Sequence, residues 1–261
     1  MDEHTPSPPL HGFTPANVSA RNKGLVIATL SPKGGAGKTT MAATLASSLA
    51  DLGFRVGMID ADPNYPLHRW ASKDRLGDKI TVSVDTDPDG DAMMSNIKEV
   101  AANNHFVIVD TEGTANRRGE RACLMADLVL IPFNPSPLDF REAAKASVFI
   151  DKLNAMLAET GSPRRIAYVL APTKVPHVGM SKQMAQGLGK VRESGKPIIE
   201  NTLSNRSAYT SMFQFFLPLH GLSDNESPGL EKARAEARRF TDEVLSHLYA
   251  QLDLGKKGAA A

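Results

Sequence analysis

Residues 24–40 constrain the chain more than any other stretch. An apolar, β-prone run over 24–30 breaks into Ser31-Pro32-Lys33-Gly34-Gly35-Ala36-Gly37-Lys38-Thr39-Thr40, and a helical pattern opens at once. The helix predicted over 38–51 places Met41, Ala42, Leu45 and Leu49 on one face. A strand feeding straight into an amphipathic helix is one βα unit, and repeated units of that kind build a parallel sheet. Further β-rich runs at 55–59, 80–84, 106–109, 128–131 and 166–170 alternate with helical patterns, one of them over 140–159. Their hydrophobicity is continuous rather than alternating, which marks strands buried on both faces. The expected fold class is α/β, a mostly parallel twisted sheet flanked by helices on both faces.

With 261 residues, the chain is long enough for one large domain with a proper core. Three segments are expected: a mobile arm over 1–22, rich in proline; a folded domain over 23–254; and a disordered Gly/Lys/Ala tail over 255–261. The formal net charge of +1 excludes a global drive toward nucleic acid, so any such binding needs a local patch. The single cysteine, Cys123, excludes an internal disulfide, fits a reducing cytoplasm, and reads as a small buried side chain. No apolar run approaches the roughly 18 residues of a membrane span. The N-terminus has no apolar h-region, so no secretory leader is expected. The seven histidines show no metal-ligand spacing.

The glycines of the loop allow main-chain N–H groups to curl around phosphate oxygens, and the helix that follows presents its positive end to the same place. Gly34-Gly35-Ala36-Gly37-Lys38-Thr39 between a strand and a helix is the context that a phosphate-binding loop requires. Mg·ATP is the expected ligand, with Lys38 on the β- and γ-phosphates, the Thr39 hydroxyl on Mg2+ and Thr40 on the α-phosphate. Two acidic segments suit that chemistry. Asp60-Ala61-Asp62-Pro63 follows the run at 55–59, and Phe106-Val107-Ile108-Val109-Asp110 is an apolar strand ending in aspartate. Carboxylates at strand ends can face the γ-phosphate, Asp110 binding Mg2+ through water.

Lys33 precedes the glycine pair, and Lys-Gly-Gly-x-Gly-Lys-Thr resembles the deviant Walker A motif of the ParA/MinD family of P-loop ATPases. The resemblance covers about residues 23 to 252 and is closest to small plasmid-partition ParA and VirC-type proteins, Pro135-Ser136-Pro137-Leu138-Asp139-Phe140 being especially similar to the latter. It implies an ATP-dependent sandwich homodimer in which Lys33 touches the partner's phosphates, Asp62 orients or deprotonates the attacking water and Asp60 helps hold the metal's hydration shell. It also implies that Thr111-Glu112-Gly113-Thr114 is a loop sensing the γ-phosphate, Glu112 departing from the apolar or proline residues usual there, and that Thr173-Lys174 lies where relatives read the base. Ser136 or Asp139 is expected to cap the helix that follows.

Family members bind double-stranded DNA non-specifically as ATP dimers. Arg206, in Asn205-Arg206-Ser207-Ala208-Tyr209, is the first choice for a phosphate contact. Lys232, Arg234, Arg238 and Arg239 follow, on a last helix starting at Ser227-Pro228 with Leu230, Ala233, Ala237, Phe240, Val244 and Leu248 as its core face. The implied function is a slow, nucleoid-associated cytoplasmic partition ATPase stimulated by a centromere-binding, ParB-like partner. The alternatives are an accessory ATPase of conjugation or T-DNA transfer, and a MinD-like membrane-surface ATPase. Asp242, Glu243 and Asp253 in the last helix disfavour anionic lipid.

Overall fold

The computed structural model describes residues 13–21, 23–87, 89–112, 116–176 and 179–259, with side chains described as far as residue 252. Seven parallel strands form one sheet, in the order β3-β2-β4-β1-β5-β6-β7. They are β1 (Leu25–Thr29), β2 (Val56–Ala61), β3 (Ile80–Val84), β4 (Phe106–Thr111), β5 (Leu128–Phe133), β6 (Tyr168–Val175) and β7 (Leu203–Ser204). Six coincide with the predicted runs within a few residues. The seventh has two residues, too few to carry a periodicity.

The strands at the centre are buried along their whole length. Leu25 and Ile27 of β1 point into one core layer and Val26 and Ala28 into the other, as the two-residue period of a strand demands. The first layer is closed by α2 (Lys38–Asp51), through Met41, Leu45 and Leu49, and by α9 (Leu230–Ala259), through Phe240, Val244 and Leu248. The second is closed by α4 (Met93–Asn103), α5 (Arg117–Met125) and α6 (Pro137–Glu159), with Ile97, Cys123 and Ile150 among the contacts. Burial pushes the Cys123 thiol up to about 12, so it is an inert packing group.

The boundaries differ from expectation at both ends. Residues 1–12 and 22 of the expected arm lie outside the described residues. The rest of it is folded: α1 (Pro15–Ser19) starts at a capping box between Thr14 and Asn17, with proline at its first turn. Phe13 is buried edge-on against Phe106 and Tyr249, with centroids 6.2 and 5.9 Å away. One aromatic side chain reaching the core is enough to fasten a segment that lacks periodicity. The last helix begins at Leu230 rather than at Ser227-Pro228, because Gly229 takes a φ of +76° that interrupts the helical run. Its backbone continues to Ala259, through most of the expected tail, since propagating an existing helix needs no new nucleus.

Shorter elements complete the frame: α3 (Pro66–Ala71), α7 (Lys182–Glu193) and α8 (Ser207–Phe215). The chain leaves β1 toward β2 on one side and later crosses to β5 on the other. The carboxyl end of β1 therefore lies at a change of direction, where open parallel sheets offer a crevice to ligands.

Candidate nucleotide and metal site

The loop after β1 enters α2 through Gly37, which caps the helix with φ +89°. Only glycine takes that conformation without strain, and a Cβ there would also press on Thr173 Oγ1 at 3.2 Å. At Gly34 and Gly35 an added Cβ would meet nothing within 4 Å, so the loop borders open space. Lys38, the first residue of α2, is only 7% exposed, and its ammonium acts on Asp110.

Thr39 Oγ1 donates to Asp110 Oδ2 at 2.6 Å, and Thr29 Oγ1 donates to Asp110 Oδ1 at 3.1 Å. Asp60 pairs with Asp110 across the β2–β4 ladder. It accepts from the main-chain N–H groups of His68 (2.9 Å) and Asp62 (3.3 Å). Both carboxylates are fully buried. Burial pushes Asp110 up to about 6, against the opposing pull of Thr39 and Lys38. Burial raises Asp60 as well, against its main-chain hydrogen bonds. Two buried carboxylates and a threonine hydroxyl beside a basic loop make a hard, all-oxygen donor set, which fits a hydrated Mg2+. Asp62 is half-exposed and holds Asn64 through its N–H (2.8 Å) and Nδ2 (3.0 Å).

Lys33 forms an ion pair with Asp139 of its own chain, at the first turn of α6. Burial opposes ionisation of Asp139, but the bonds from Lys33 and Ser136 hold its carboxyl below the usual range. Ser136 is the N-cap, its Oγ accepting from Asp139 N at 3.2 Å.

Thr173 is placed otherwise than expected. Its hydroxyl donates to Ala36 O at 2.7 Å and the side chain is buried behind the loop. With its proton committed to the loop, the hydroxyl can no longer donate to a base. Lys174 Nζ donates to Gly35 O at 2.8 Å, so β6 fastens the loop from behind. Glu112 accepts from Asn116 Nδ2 at 2.7 Å. Gly113 and Thr114, the rest of the expected sensing loop, lie outside the described residues.

The basic residues chosen for DNA divide. Arg206 Nε donates to the buried Glu236 at 3.0 Å, and Glu236 also accepts from Ser204 N (2.6 Å), Ser204 Oγ (2.8 Å) and Tyr209 OH (2.9 Å). Arg234 donates to the carbonyls of His220 (3.0 Å) and Leu222 (2.8 Å), and Arg238 pairs with Asp242 at 3.4 Å. These three are engaged within the chain. A recess of about 230 Å³ lined by Arg234 and Arg238 is also lined by Asp51 and Glu231, so its charge is mixed. Lys232 and Arg239 are exposed, seven residues apart on one face of α9.

Sequence reasoning passed over Thr29, Arg118 and the Lys33–Asp139 pair, and gave Lys174 to the base rather than to the loop. Thr29, at the end of β1, carries a polar residue into an apolar run, which is a usable signal. The others depend on contacts between distant segments.

A family model described as "VirC1 protein" matches residues 25–237. A protein named ParA from Rhizobium radiobacter is 35% identical over 215 residues, covering 81% of this chain and 94% of that one. A protein named virC1 from the same organism is 29% identical over 189 residues, covering 69% and 76%. Among solved structures, apo McdA from Cyanthece superposes with a TM-score of 0.66 at 18% identity, over 83% of this chain and 98% of its own. At that identity the likeness shows the fold alone, and it confirms the P-loop NTPase architecture.

Proposed function

Since the chain belongs to the VirC1 family, within the ParA/MinD-like ATPases of partition and positioning, we propose that it is a slow, partner-stimulated, DNA-binding partition ATPase. The observation that carries this reading is the junction of Thr39, Asp110 and Asp60 over the end of β1, with Lys38 buried beside it. Lys38 and the main-chain N–H groups of residues 34–39 bind the triphosphate, with Thr40 at the α-phosphate. Thr39, Asp60 and Asp110 hold Mg2+, which when bound neutralises charge on the phosphate oxygens. Asp62, at the open end of β2, orients the attacking water and takes its proton.

On ATP binding two copies face each other, and Lys33 exchanges Asp139 for the phosphates of the second copy. A cation delivered to the transferring phosphoryl group follows arginine-finger chemistry. Lys232 and Arg239, doubled in the dimer, form the non-specific DNA contact, so ATP gates DNA affinity by pairing two weak surfaces. A ParB-like centromere-binding protein is the expected stimulator, and the cytoplasm, over the nucleoid, the expected location. Among the described residues no helix is long and apolar enough to cross a membrane.

The test is nucleotide affinity together with DNA retardation in ATP, ADP and no nucleotide. Lys38→Ala is expected to abolish ATP binding; retained affinity removes the phosphate-loop assignment. Asp62→Ala is expected to give an ATP-bound dimer with little turnover; undiminished hydrolysis removes Asp62 from the mechanism. The match to the VirC1 model favours a second reading, an accessory ATPase of DNA transfer. Loss of plasmid stability against loss of transfer in a deletion strain separates the two.

A further inference from the structure

Arg118 is a buried cation that the site described above does not use. It is 9% exposed and stands in the first turn of α5, just after the loop that leaves β4. Its Nη1 donates to Ala61 O at 3.1 Å and lies 3.5 Å from Asp85 O. Ala61 sits between Asp60 and Asp62. Asp85 continues β3, and its N–H donates to Asp60 O at 2.9 Å. One guanidinium therefore spans the carboxyl ends of β2 and β3 from the start of α5.

Two further contacts show that this junction is packed tightly. A Cβ at Gly90, where φ is +72°, would lie 3.1 Å from both Cα and N of Arg118, so the turn after β3 rests on the backbone of α5. Asn116 caps α5, its Oδ1 accepting from Gly119 N at 2.9 Å while its Nδ2 donates to Glu112. Glu112 and the start of α5 are thus joined through Asn116, and α5 reaches the main chain beside Asp62 through Arg118. Burying a guanidinium is costly unless its donors are used. Here its donor Nη1 faces two main-chain carbonyls, of Ala61 and Asp85, a geometry that sets backbone position.

We infer that Arg118 is a positioning residue for Asp62: it clamps the Ala61 carbonyl, so that the water-orienting carboxylate is held in register with the first turn of α5. This rests on the hydrolase reading proposed above. Among the described residues the half-exposed Asp62 carboxylate meets only Asn64, while its main-chain N–H and carbonyl are tied to Asp60 Oδ1 and Tyr65 N, so its placement relies on the backbone beneath it. A displacement of about 1 Å in a reacting group costs up to about a hundredfold in rate. A lysine would keep the charge but not the planar fork.

The experiment compares the full-length parent with Arg118→Lys and Arg118→Ala. Hydrogen exchange is measured over residues 60–65 without nucleotide, together with ATP affinity and steady-state turnover. The expected result is faster exchange over 60–65 in both variants, with ATP affinity within about twofold of the parent. Turnover should fall by on the order of tenfold or more, less for lysine than for alanine. Unchanged exchange over 60–65 in the folded lysine variant overturns the clamp. So does a loss of ATP affinity as large as the loss of turnover, because Arg118 would then support the fold or the nucleotide rather than Asp62. A parent that binds ATP but shows no turnover sinks the hydrolase reading, while the exchange measurement still decides whether Arg118 holds the loop.

Discussion

Arg206 lies in a motif where a DNA contact was expected, yet its Nε faces Glu236 with the side chain 20% exposed. The Glu236 carboxylate is 9% exposed and accepts from four donors, so the arginine satisfies a buried charge first. Removing it strands part of that charge. Arg206→Ala is expected to lower unfolding free energy by about 1–3 kcal/mol, read from urea denaturation, with little change in DNA affinity at fixed salt. The exposed pair behaves in the opposite way. Lys232→Ala combined with Arg239→Ala should leave stability within about 0.5 kcal/mol and, with both copies of the dimer altered, reduce the slope of log affinity against log salt by about 4. A slope that does not move puts the DNA surface elsewhere. A motif match named Arg206, but only the position of Glu236 decides whether its charge is available.

At the scale of elements, α1 and α2 differ in how far local sequence accounts for them. The loop glycines, Lys38 and the apolar stripe mark α2 without ambiguity, and it spans the predicted 38–51. The short α1 carries a legible start, Thr14-Pro15 followed by Asn17, but five residues cannot form a stable helix alone. It persists because Phe13 and Val18 reach the core. Phe13→Ala should therefore cost about 3 kcal/mol and detach α1, seen as a lower denaturation midpoint and as new proteolytic cleavage between residues 13 and 23. An unchanged midpoint would mean that the arm contributes nothing to the domain. The β6 segment makes a related point. Its strand was predicted, but Thr173 and Lys174 turn out to brace Ala36 and Gly35, because β6 runs past the back of the loop.

For the whole molecule, His105 is a buried group that weakens the fold in mild acid. His105 Nδ1 accepts from Arg55 N–H at 2.8 Å, so its proton is on Nε2, 2.8 Å from Ser19 Oγ. Burial, reinforced by the Arg55 charge, holds its pKa below the ordinary value; desolvation acts in the same direction at the half-buried His247. The unfolded chain takes up protons near the ordinary histidine value of about 6.5, whereas the native chain resists them. Stability is thus fully present above that value and falls as pH drops below it, down to the depressed native values. Asp110, raised to about 6 by burial, acts in the opposite sense over the same window, so the check is a difference: between pH 7.5 and 5.5 the urea midpoint of His105→Gln should fall less, or rise more, than the parent's, and an identical change in both would remove His105 from the effect. The parallel α/β plan was legible in the chain, and so was the placing of the glycine loop after β1 and of Asp60, Asp62 and Asp110 at strand ends, because these follow from patterns within single strand-turn-helix units. Tertiary structure alone decided that Thr173 braces the loop, that Arg206 is neutralised by Glu236, that Lys33 rests on Asp139 and that Arg118 spans two strand ends. Each of those is a contact between segments far apart in the chain, where burial and partner geometry, rather than residue type, fix what a side chain can do.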